Sequence, residues 1–296
     1  MTVACLVDTT RCIGCRSCQV ACKQAHGLKA DDTKFFAAEG GYQNPLGFTP
    51  YTRTYVAFHE RDPAGGGPAW VFVKHQCMHC KDMRCANVCA PQIYWRTPEG
   101  VVAFAPSGCI GCSACVDECP FGVPVIDYWD VDTPHLRKCT FCLDRQEAEI
   151  ESVRLDDRPL SGREQQRYEA ALTTPACVRA CPTGALCFGA RDELLAEARR
   201  RIAAAPDRYV DHIYGEKELG GLGWLYLAAV PFKELGFPTE FPPPMEGGQM
   251  GMHRPQHRPR PGRCRVWSSL SGALGATLAG LTWFFRRREK VRRSRS

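Results

Sequence analysis

The sequence lacks the motifs with which most enzymes hold and transform a substrate. Its 296 residues contain no glycine-rich phosphate loop, no nucleophile elbow and no recognisable pair of catalytic acids. We therefore expect no substrate chemistry from the chain alone, although an enzyme that works by itself through a bound cofactor stays open as an alternative. The length is sufficient for one large domain or two ordinary ones.

An export signal is also missing from the first thirty residues, which show no basic start followed by a long apolar run and no twin arginine. Disulfide-rich secreted domains are usually short and carry such a signal. A disulfide framework is therefore a poor explanation of the 19 cysteines.

The formal net charge of +6 comes from one end of the chain. Residues 254–296 contain 12 Lys or Arg and one acid, whereas residues 1–253 contain 26 basic and 31 acidic residues. Because the body is mildly acidic, we expect no nucleic-acid partner. The excess positive charge flanks one apolar stretch, a pattern typical of membrane topology.

That uncharged stretch, residues 266–285, is long enough as a helix to cross a bilayer of about 30 Å. Trp267 and Trp283 lie near its ends, as interfacial anchors do. We predict a transmembrane helix over 266–285, after a Pro/Gly/Arg-rich linker over 246–265 and before a basic tail over 286–296. A buried soluble helix is the alternative. Five arginines before the span and seven Lys or Arg after it predict a cytoplasmic C-terminus and an extracytoplasmic main domain.

Sixteen cysteines fall into four blocks that each open with Cys-x2-Cys and close with Cys-x3-Cys. The first three blocks are "CIGCRSCQVAC" from Cys12, "CMHCKDMRCANVC" from Cys77 and "CIGCSACVDECP" from Cys109. The fourth is split into "CTFC" from Cys139 and "CVRACP" from Cys177. The shared frame is an internal repeat in which insertions are confined to the middle gap.

Zinc is the main rival as the bound metal, because "CMHC" and "CTFC" could supply two separated pairs of thiols. However, zinc gives no reason for three closely spaced cysteines followed by a fourth, whereas bacterial ferredoxins use this spacing for cubane clusters, the fourth cysteine serving the other cluster of a pair. We therefore predict four 4Fe-4S sites, with zinc at one of them as the main exception. We expect the fourth cysteine of a block at the start of a helix, with Pro120 in a first helical turn.

Three cysteines and two histidines remain outside this frame. Cys5 and Cys187 lie in strand-like segments and are predicted core residues, and Cys264 is left over. His75 and His79 flank the first cysteine of block two, but sulfur already fills all sixteen ligand places. We therefore predict structural roles for both histidines.

Apolar runs rich in β-branched and aromatic residues predict short strands at "ACLV", "YVAFHE", "AWVFV", "GVVAF", "VPVIDYW" and "ALCFG". A packing helix is predicted over 191–205, with Asp192 as its cap and Pro206 beyond its end. The highly charged segment 143–174 predicts a solvated arm, with a docking surface for a partner subunit as the alternative.

The order of the blocks, the four-residue gap in block two and the insertion in block four resemble the four-cluster ferredoxin subunits of the molybdopterin-oxidoreductase superfamily. Within that group, "CIGCRSCQVACKQ", "GGYQNP", "CMHC" and "CPTGALCFG" are similar to the iron-sulfur beta subunit of membrane-bound formate dehydrogenase. "YGEKELGG", "VPFKELGFP" and the terminal span also resemble the ferredoxin-like subunit of membrane-bound nickel-iron hydrogenases.

The resemblance implies an α+β fold over 1–245, built of two ferredoxin-like halves related by a pseudo-twofold. Block one would pair with block four, and block two with block three. Four 4Fe-4S clusters are implied, and their ligand sets are named sites I to IV. The implied ligands are Cys12, Cys15, Cys18 and Cys181 for site I; Cys139, Cys142, Cys177 and Cys22 for site II; Cys77, Cys80, Cys85 and Cys119 for site III; and Cys109, Cys112, Cys115 and Cys89 for site IV.

The resemblance further implies an electron wire. Electrons would pass singly from a catalytic subunit, either a molybdopterin enzyme or a nickel-iron large subunit, toward a membrane cytochrome b or a quinone-binding subunit. Site I would lie near the catalytic partner and site IV near the membrane exit. Formate dehydrogenase beta subunits are exported together with a catalytic subunit that carries the twin-arginine signal, which would explain an extracytoplasmic domain. A zinc-binding scaffold stays open as the remote alternative.

Overall fold

The computed structural model describes residues 2–33, 43–61, 69–128, 135–143 and 174–243, all of which belong to one unit, Met1–Met252. The helices are α1 (Ser17–Ala25), α2 (Arg84–Asn87), α3 (Ala114–Glu118), α4 (Ala176–Arg179) and α5 (Arg191–Ala204). The strands are β1 (Val3–Asp8), β2 (Tyr55–Arg61), β3 (Ala69–His75), β4 (Tyr94–Arg96), β5 (Val102–Phe104), β6 (Val125–Asp127), β7 (His135–Arg137), β8 (Leu186–Ala190) and β9 (Trp224–Leu227).

Strand β1 lies at the centre of a three-stranded sheet. It pairs antiparallel with β8 and parallel with β9, so it has a neighbour on each edge. Its alternate residues enter two different cores: Cys5 and Val7 pack with Trp224 and Tyr226, while Leu6 packs with helix α5. A strand covered on both faces needs a nearly continuous apolar run, which "ACLV" supplies.

The remaining strands form three antiparallel pairs among the described residues: β2 with β3, β4 with β5, and β6 with β7. The strands predicted at "ACLV", "YVAFHE", "AWVFV", "GVVAF" and "ALCFG" are confirmed. The run "VPVIDYW" contributes a strand only at Val125–Asp127.

Helix α5 covers one face of the β1 sheet. Leu194, Leu195 and Ala198 are buried there against Leu6, and the helix ends before Pro206, as predicted. The predicted cap was wrong: Ala190 is the N-cap, and no side chain bonds the first turn. Asp192 lies inside the first turn, where its charge instead favours the positive end of the helix dipole.

The short helices carry cysteines and pack in two pairs, α1 against α4 and α2 against α3. Helix α1 belongs to block one and α4 to block four, whereas α2 and α3 belong to blocks two and three. Chain folding therefore brings blocks together in the same pairs that the resemblance implies.

Several predictions from the sequence fall on residues that the structure does not describe. They concern most of the charged arm 143–174, the linker 246–265, the transmembrane helix 266–285 and the basic tail 286–296. In the described part of the chain, none of the helices has the length and apolar character to span a bilayer.

Gly215 offers a test of the packing around β9. Its φ of 99° suits glycine, and a Cβ there would meet the backbone carbonyl of Trp224. We expect Gly215→Ala to lower the free energy of unfolding by about 1–3 kcal/mol. The melting temperature should fall by roughly 2–4 °C for each kcal/mol lost. Anaerobic circular-dichroism melting measures this. Gly189→Ala is the matched control, because a Cβ at Gly189 meets no atom within 4 Å; equal melting temperatures for the two variants would contradict the prediction.

Candidate iron-sulfur centres

The sixteen predicted ligands all lie in the described residues, and none of them forms a disulfide bond. Loops and short helices carry them, and the strands contain none of them. Cys15 and Cys112 are the exposed members of the set.

The four Cys-x2-Cys turns share one backbone feature. The residue before the second cysteine has a positive φ in every turn: Gly14 at 67°, His79 at 50°, Gly111 at 72° and Phe141 at 60°. Left-handed residues in a turn direct successive N–H groups into one concavity, as at many iron-sulfur sites. Gly14 is needed for space as well, since a Cβ there would lie 2.7 Å from the Phe72 ring.

Backbone N–H groups reach the cysteine sulfurs in these turns. The N–H of Phe141 donates to Cys139 Sγ at 3.4 Å. Burial raises the pKa of Cys12, and a hydrogen bond from the Gly14 backbone opposes that rise. Such bonds favour charged sulfur, the form that binds metal.

The prediction that the fourth cysteine of a block begins a helix was wrong. Helix α3 ends at Glu118, and Cys119 follows it with an extended backbone, φ −76° and ψ 112°. The physical reason is Pro120: proline disfavours the helical conformation of the residue before it, so α3 stops there. Pro120 consequently lies in a turn after the helix and not in a first helical turn.

The thiols of site I lie close enough for their charges to interact. Burial raises the pKa of Cys12, and the charges of Cys181 and Cys15 raise it further. Burial likewise raises the pKa of Cys18 to about 12, with Cys12 and Cys15 among the contributing charges.

Site II brings block four together with the last cysteine of block one. Burial, followed by the charges of Cys177 and Cys142, raises the pKa of Cys22 to about 12. Burial also raises the pKa of Cys139, and Cys22 is among the charges that add to it.

Site III joins block two to the last cysteine of block three. Burial raises the pKa of Cys80 well above its usual value, and Cys77, Cys119 and Cys85 add to the rise. Burial raises the pKa of Cys119 to about 11. Hydrogen bonds from three backbone N–H groups, those of Val123 and its two preceding residues, oppose that rise.

Site IV surrounds a small pocket that is open to solvent. Its four cysteines line the pocket together with Tyr94 and Ile110. Burial raises the pKa of Cys115, and the charges of Cys112, Cys109 and Cys89 contribute.

Neighbouring sites also interact through pairs of thiols. One pair joins site I to site II, one joins site II to site III, and one joins site III to site IV. The three pairs are Cys18 with Cys177, Cys139 with Cys77, and Cys85 with Cys115. These interactions link the predicted ligand sets in the order I, II, III, IV.

This donor set fits cationic iron clusters. Four thiolates enclosed together repel one another and lose hydration, so metal must compensate their charge. Across the described ranges, no group of three or more His, Cys, Asp or Glu side chains is arranged to hold a single metal ion.

The two histidines beside block two have packing roles. Burial lowers the pKa of His75 to about 3, and its ring stacks 5.1 Å from that of Tyr55. His79 is buried, and its Nδ1 accepts a hydrogen bond from the Val102 N–H at 3.0 Å.

Sequence patterns did not single out three buried polar side chains near the cysteines. Lys74 and Lys138 are buried, and Tyr94 lies beside Cys115, whose charge adds to the effect of burial in raising the tyrosine pKa. The signal that could have found the lysines is their position: Lys74 lies in β3 and Lys138 directly follows β7, and each comes shortly before a Cys-x2-Cys turn.

Two family models match the chain, and both describe a 4Fe-4S dicluster domain. One matches residues 11–93, which contain blocks one and two, and the other matches residues 68–158, which contain blocks two and three and the first half of block four.

Curated relatives extend the similarity over most of the chain. A Nitratidesulfovibrio vulgaris protein named only "Protein" is 37% identical over 239 residues, covering 79% of this chain; the chain spans 56% of that relative's length. The Hydrogenase-2 operon protein HybA of Escherichia coli is 31% identical over 79% of this chain and 72% of its own length. The nitrate-inducible formate dehydrogenase iron-sulfur subunit of Escherichia coli is 32% identical over 76% of this chain and 67% of its own length.

The position of Cys119 beside block two generates a prediction about shared ligands. We expect Cys119→Ser to disturb the site III cluster and to leave site IV comparatively intact, with loss of at most about a quarter of the iron, since one of four sites is affected. Paramagnetic resonance and iron analysis measure both effects, with Cys80→Ser and Cys112→Ser as reference variants for the two signals.

Cys187→Ser is the matched control for that experiment, because its thiol contacts the Gly184 carbonyl at 3.8 Å and belongs to none of the four sets. It should keep the full iron content. Loss of the site IV signal with site III unchanged would refute the exchange of ligands between blocks.

Proposed function

Because this chain belongs to the family of 4Fe-4S iron-sulfur subunits that includes those of formate dehydrogenase and the hydrogenase-2 protein HybA, we propose that it is an electron-transfer subunit of a membrane-bound oxidoreductase complex. It carries four 4Fe-4S clusters, accepts electrons from a catalytic subunit and has no catalytic activity of its own.

The linear order of the four ligand sets is the observation that carries this proposal. Each set interacts with the next through one pair of thiols, from Cys18 at site I to Cys115 at site IV. A chain of one-electron carriers needs this arrangement, because each carrier must have a close neighbour on either side.

The ligand sets follow the pairing of blocks. Three cysteines of one block and the last cysteine of its partner block hold each cluster, as named for sites I to IV above. The packing of α1 on α4 and of α2 on α3 supports this assignment, as do the interactions of Cys181 with Cys12 and of Cys119 with Cys80.

The chain's own residues supply the conditions for this chemistry. Bound 4Fe-4S clusters gain and lose single electrons at potentials set by charge, hydrogen bonds and exposure. The cysteine thiolates hold the iron, backbone N–H groups such as that of Phe141 stabilise the charged sulfur, and the aromatic core around Trp224 excludes water.

The two ends of the relay reach the surface. Cys15 of site I and Cys112 of site IV are exposed, and each follows an exposed isoleucine, Ile13 or Ile110, in the same "CIGC" turn. Exposed Tyr128 lies beside the second turn and donates to the Gly111 carbonyl at 2.7 Å. We assign site I to the catalytic partner and site IV to the exit, as the family resemblance implies.

The catalytic partner is a molybdopterin enzyme of the formate dehydrogenase type, with a nickel-iron large subunit as the alternative that similarity to HybA favours. The electron acceptor is a membrane cytochrome b or a quinone-binding subunit. Membrane attachment through residues 266–285 belongs to the same proposal and rests on the sequence pattern alone.

Purification of the intact complex tests the proposal. We expect about sixteen irons per copy of this chain, and either molybdenum or nickel in the partner, which identifies it. The separated chain should keep its iron and show no turnover of formate or hydrogen, whereas addition of the partner with substrate should bleach the visible cluster absorbance. Zinc without visible absorbance, or turnover by the chain alone, would contradict the proposal.

Membrane orientation requires a separate experiment. From the basic residues around 266–285 we expect a cytoplasmic C-terminus and an extracytoplasmic cluster domain. Protease added to spheroplasts should digest the cluster domain and spare a tag placed after Ser296. Digestion of the tag with protection of the cluster domain would reverse the proposed orientation.

A further inference from the structure

Two lysine side chains are buried in the protein without a carboxylate partner in the described part of the chain. Lys74 is 2% exposed and Lys138 is 1% exposed, and neither takes part in the ion pairs formed there. Because an isolated ammonium is costly to remove from water, a buried lysine needs compensating negative charge.

Neutral contacts hold the ammonium of Lys74 in place. Its Nζ donates to Gln76 Oε1 at 2.7 Å and lies 4.2 Å from the centre of the Trp224 ring. Gln76 is held in turn by Tyr226, whose hydroxyl lies 2.6 Å from Gln76 Nε2 and donates to the Lys74 carbonyl at 2.8 Å. The position of the charge is therefore fixed, while none of these partners neutralises it.

The ring under the Lys74 ammonium belongs to the core that contains ligands of sites I and II. Trp224 packs there with Cys177 of site II, and Cys18 of site I packs against the same core. The Lys74 charge also opposes the burial-driven rise in the pKa of Cys18, Cys139 and Cys177. Burial lowers the pKa of Lys74, whereas the charges of these three thiolates raise it.

Lys138 occupies a comparable position beside site III. Its Nζ donates to the Val102 carbonyl at 2.6 Å and to the Cys139 carbonyl at 3.2 Å, and lies 5.0 Å from the centre of the Phe104 ring. Val102 and Phe104 belong to the core that also contains Cys85 of site III. The Lys138 charge opposes the burial-driven rise in the pKa of Cys85. At site IV the influences on Cys115 are burial, the Tyr94 hydroxyl and the other three thiols.

We propose that Lys74 and Lys138 are built-in counter-charges of the electron relay, Lys74 for sites I and II and Lys138 for site III, and that they raise the reduction potentials of those clusters. The proposal rests on the proposed function, since it concerns bound clusters. A cluster gains one negative charge on reduction, so a fixed nearby cation favours its reduced form. The two lysines are positioning and tuning residues, and they do not exchange electrons.

The test is a redox titration of the chain with its clusters, followed by paramagnetic resonance. For Lys74→Met we expect at least a tenfold shift toward the oxidised form at sites I and II at a given potential, which is about 59 mV for a one-electron couple. Lys138→Met should shift site III in the same direction. Site IV should stay unchanged in Lys74→Met and serves as the internal reference for that variant.

Charge-conserving and distant substitutions separate tuning from packing. Lys74→Arg keeps the positive charge and should keep the wild-type potentials. Lys233→Met removes an exposed lysine charge and should leave all four potentials unchanged. Unchanged midpoints at sites I and II in fully loaded Lys74→Met, or equal shifts at all four sites, would overturn the assignment of Lys74.

If a variant binds its clusters incompletely, its iron content provides the test. Loss of iron from Lys74→Met but not from Lys74→Arg supports the counter-charge role, because the arginine variant keeps the positive charge and the methionine variant does not. Loss from both variants would show a packing role and overturn the proposal. If the wild-type chain holds no 4Fe-4S clusters, the proposed function itself fails; if it holds them and the potentials do not respond to Lys74, only this inference fails.

Discussion

Mutual repulsion of enclosed thiolates is the constraint on which the rest of this structure depends. Cysteines of different blocks lie close together, and burial together with neighbouring charges raises the pKa of thiols such as Cys22 and Cys80. The charged thiolate form, which binds metal, is therefore costly here, and cationic metal, donated hydrogen bonds and buried positive charge each offset that cost.

The demand for hydrogen bonds explains why so little of the fold is regular. Four Cys-x2-Cys turns repeat a left-handed residue before the second cysteine, and two of them use a residue other than glycine, His79 and Phe141. Such residues adopt this conformation at a cost of about 1–3 kcal/mol, which the surrounding structure must offset. The edge-to-face contact between these two rings, 4.9 Å apart, is part of the packing that holds both turns.

Sequence patterns predicted what depends on local chemistry. Cysteine spacing predicted iron-sulfur binding at four blocks, and apolar runs predicted most strands, because both are properties of a few consecutive residues. The assignment of ligands to individual clusters came from the family resemblance and stays a prediction. Two local predictions failed where a neighbouring residue decided the backbone: Pro120 ends α3 before Cys119, and α5 begins one residue before Asp192. The roles of Lys74 and Lys138 could not be predicted, because the charges that compensate them come from cysteines distant in the sequence.

The location of those lysines follows from the way the chain enters its metal-binding turns. Lys74 is on β3, three residues before Cys77, and Lys138 directly follows β7 and precedes Cys139. A strand is the stiffest available support for a side chain at such a place, since its neighbour fixes its register; Lys74 lies opposite Val56 on β2. The ammonium of Lys74 is thus held by strand β3, which leads directly to the cysteines of block two. A loop lysine could swing into solvent, whereas a strand lysine under Trp224 cannot leave the interior without breaking the core.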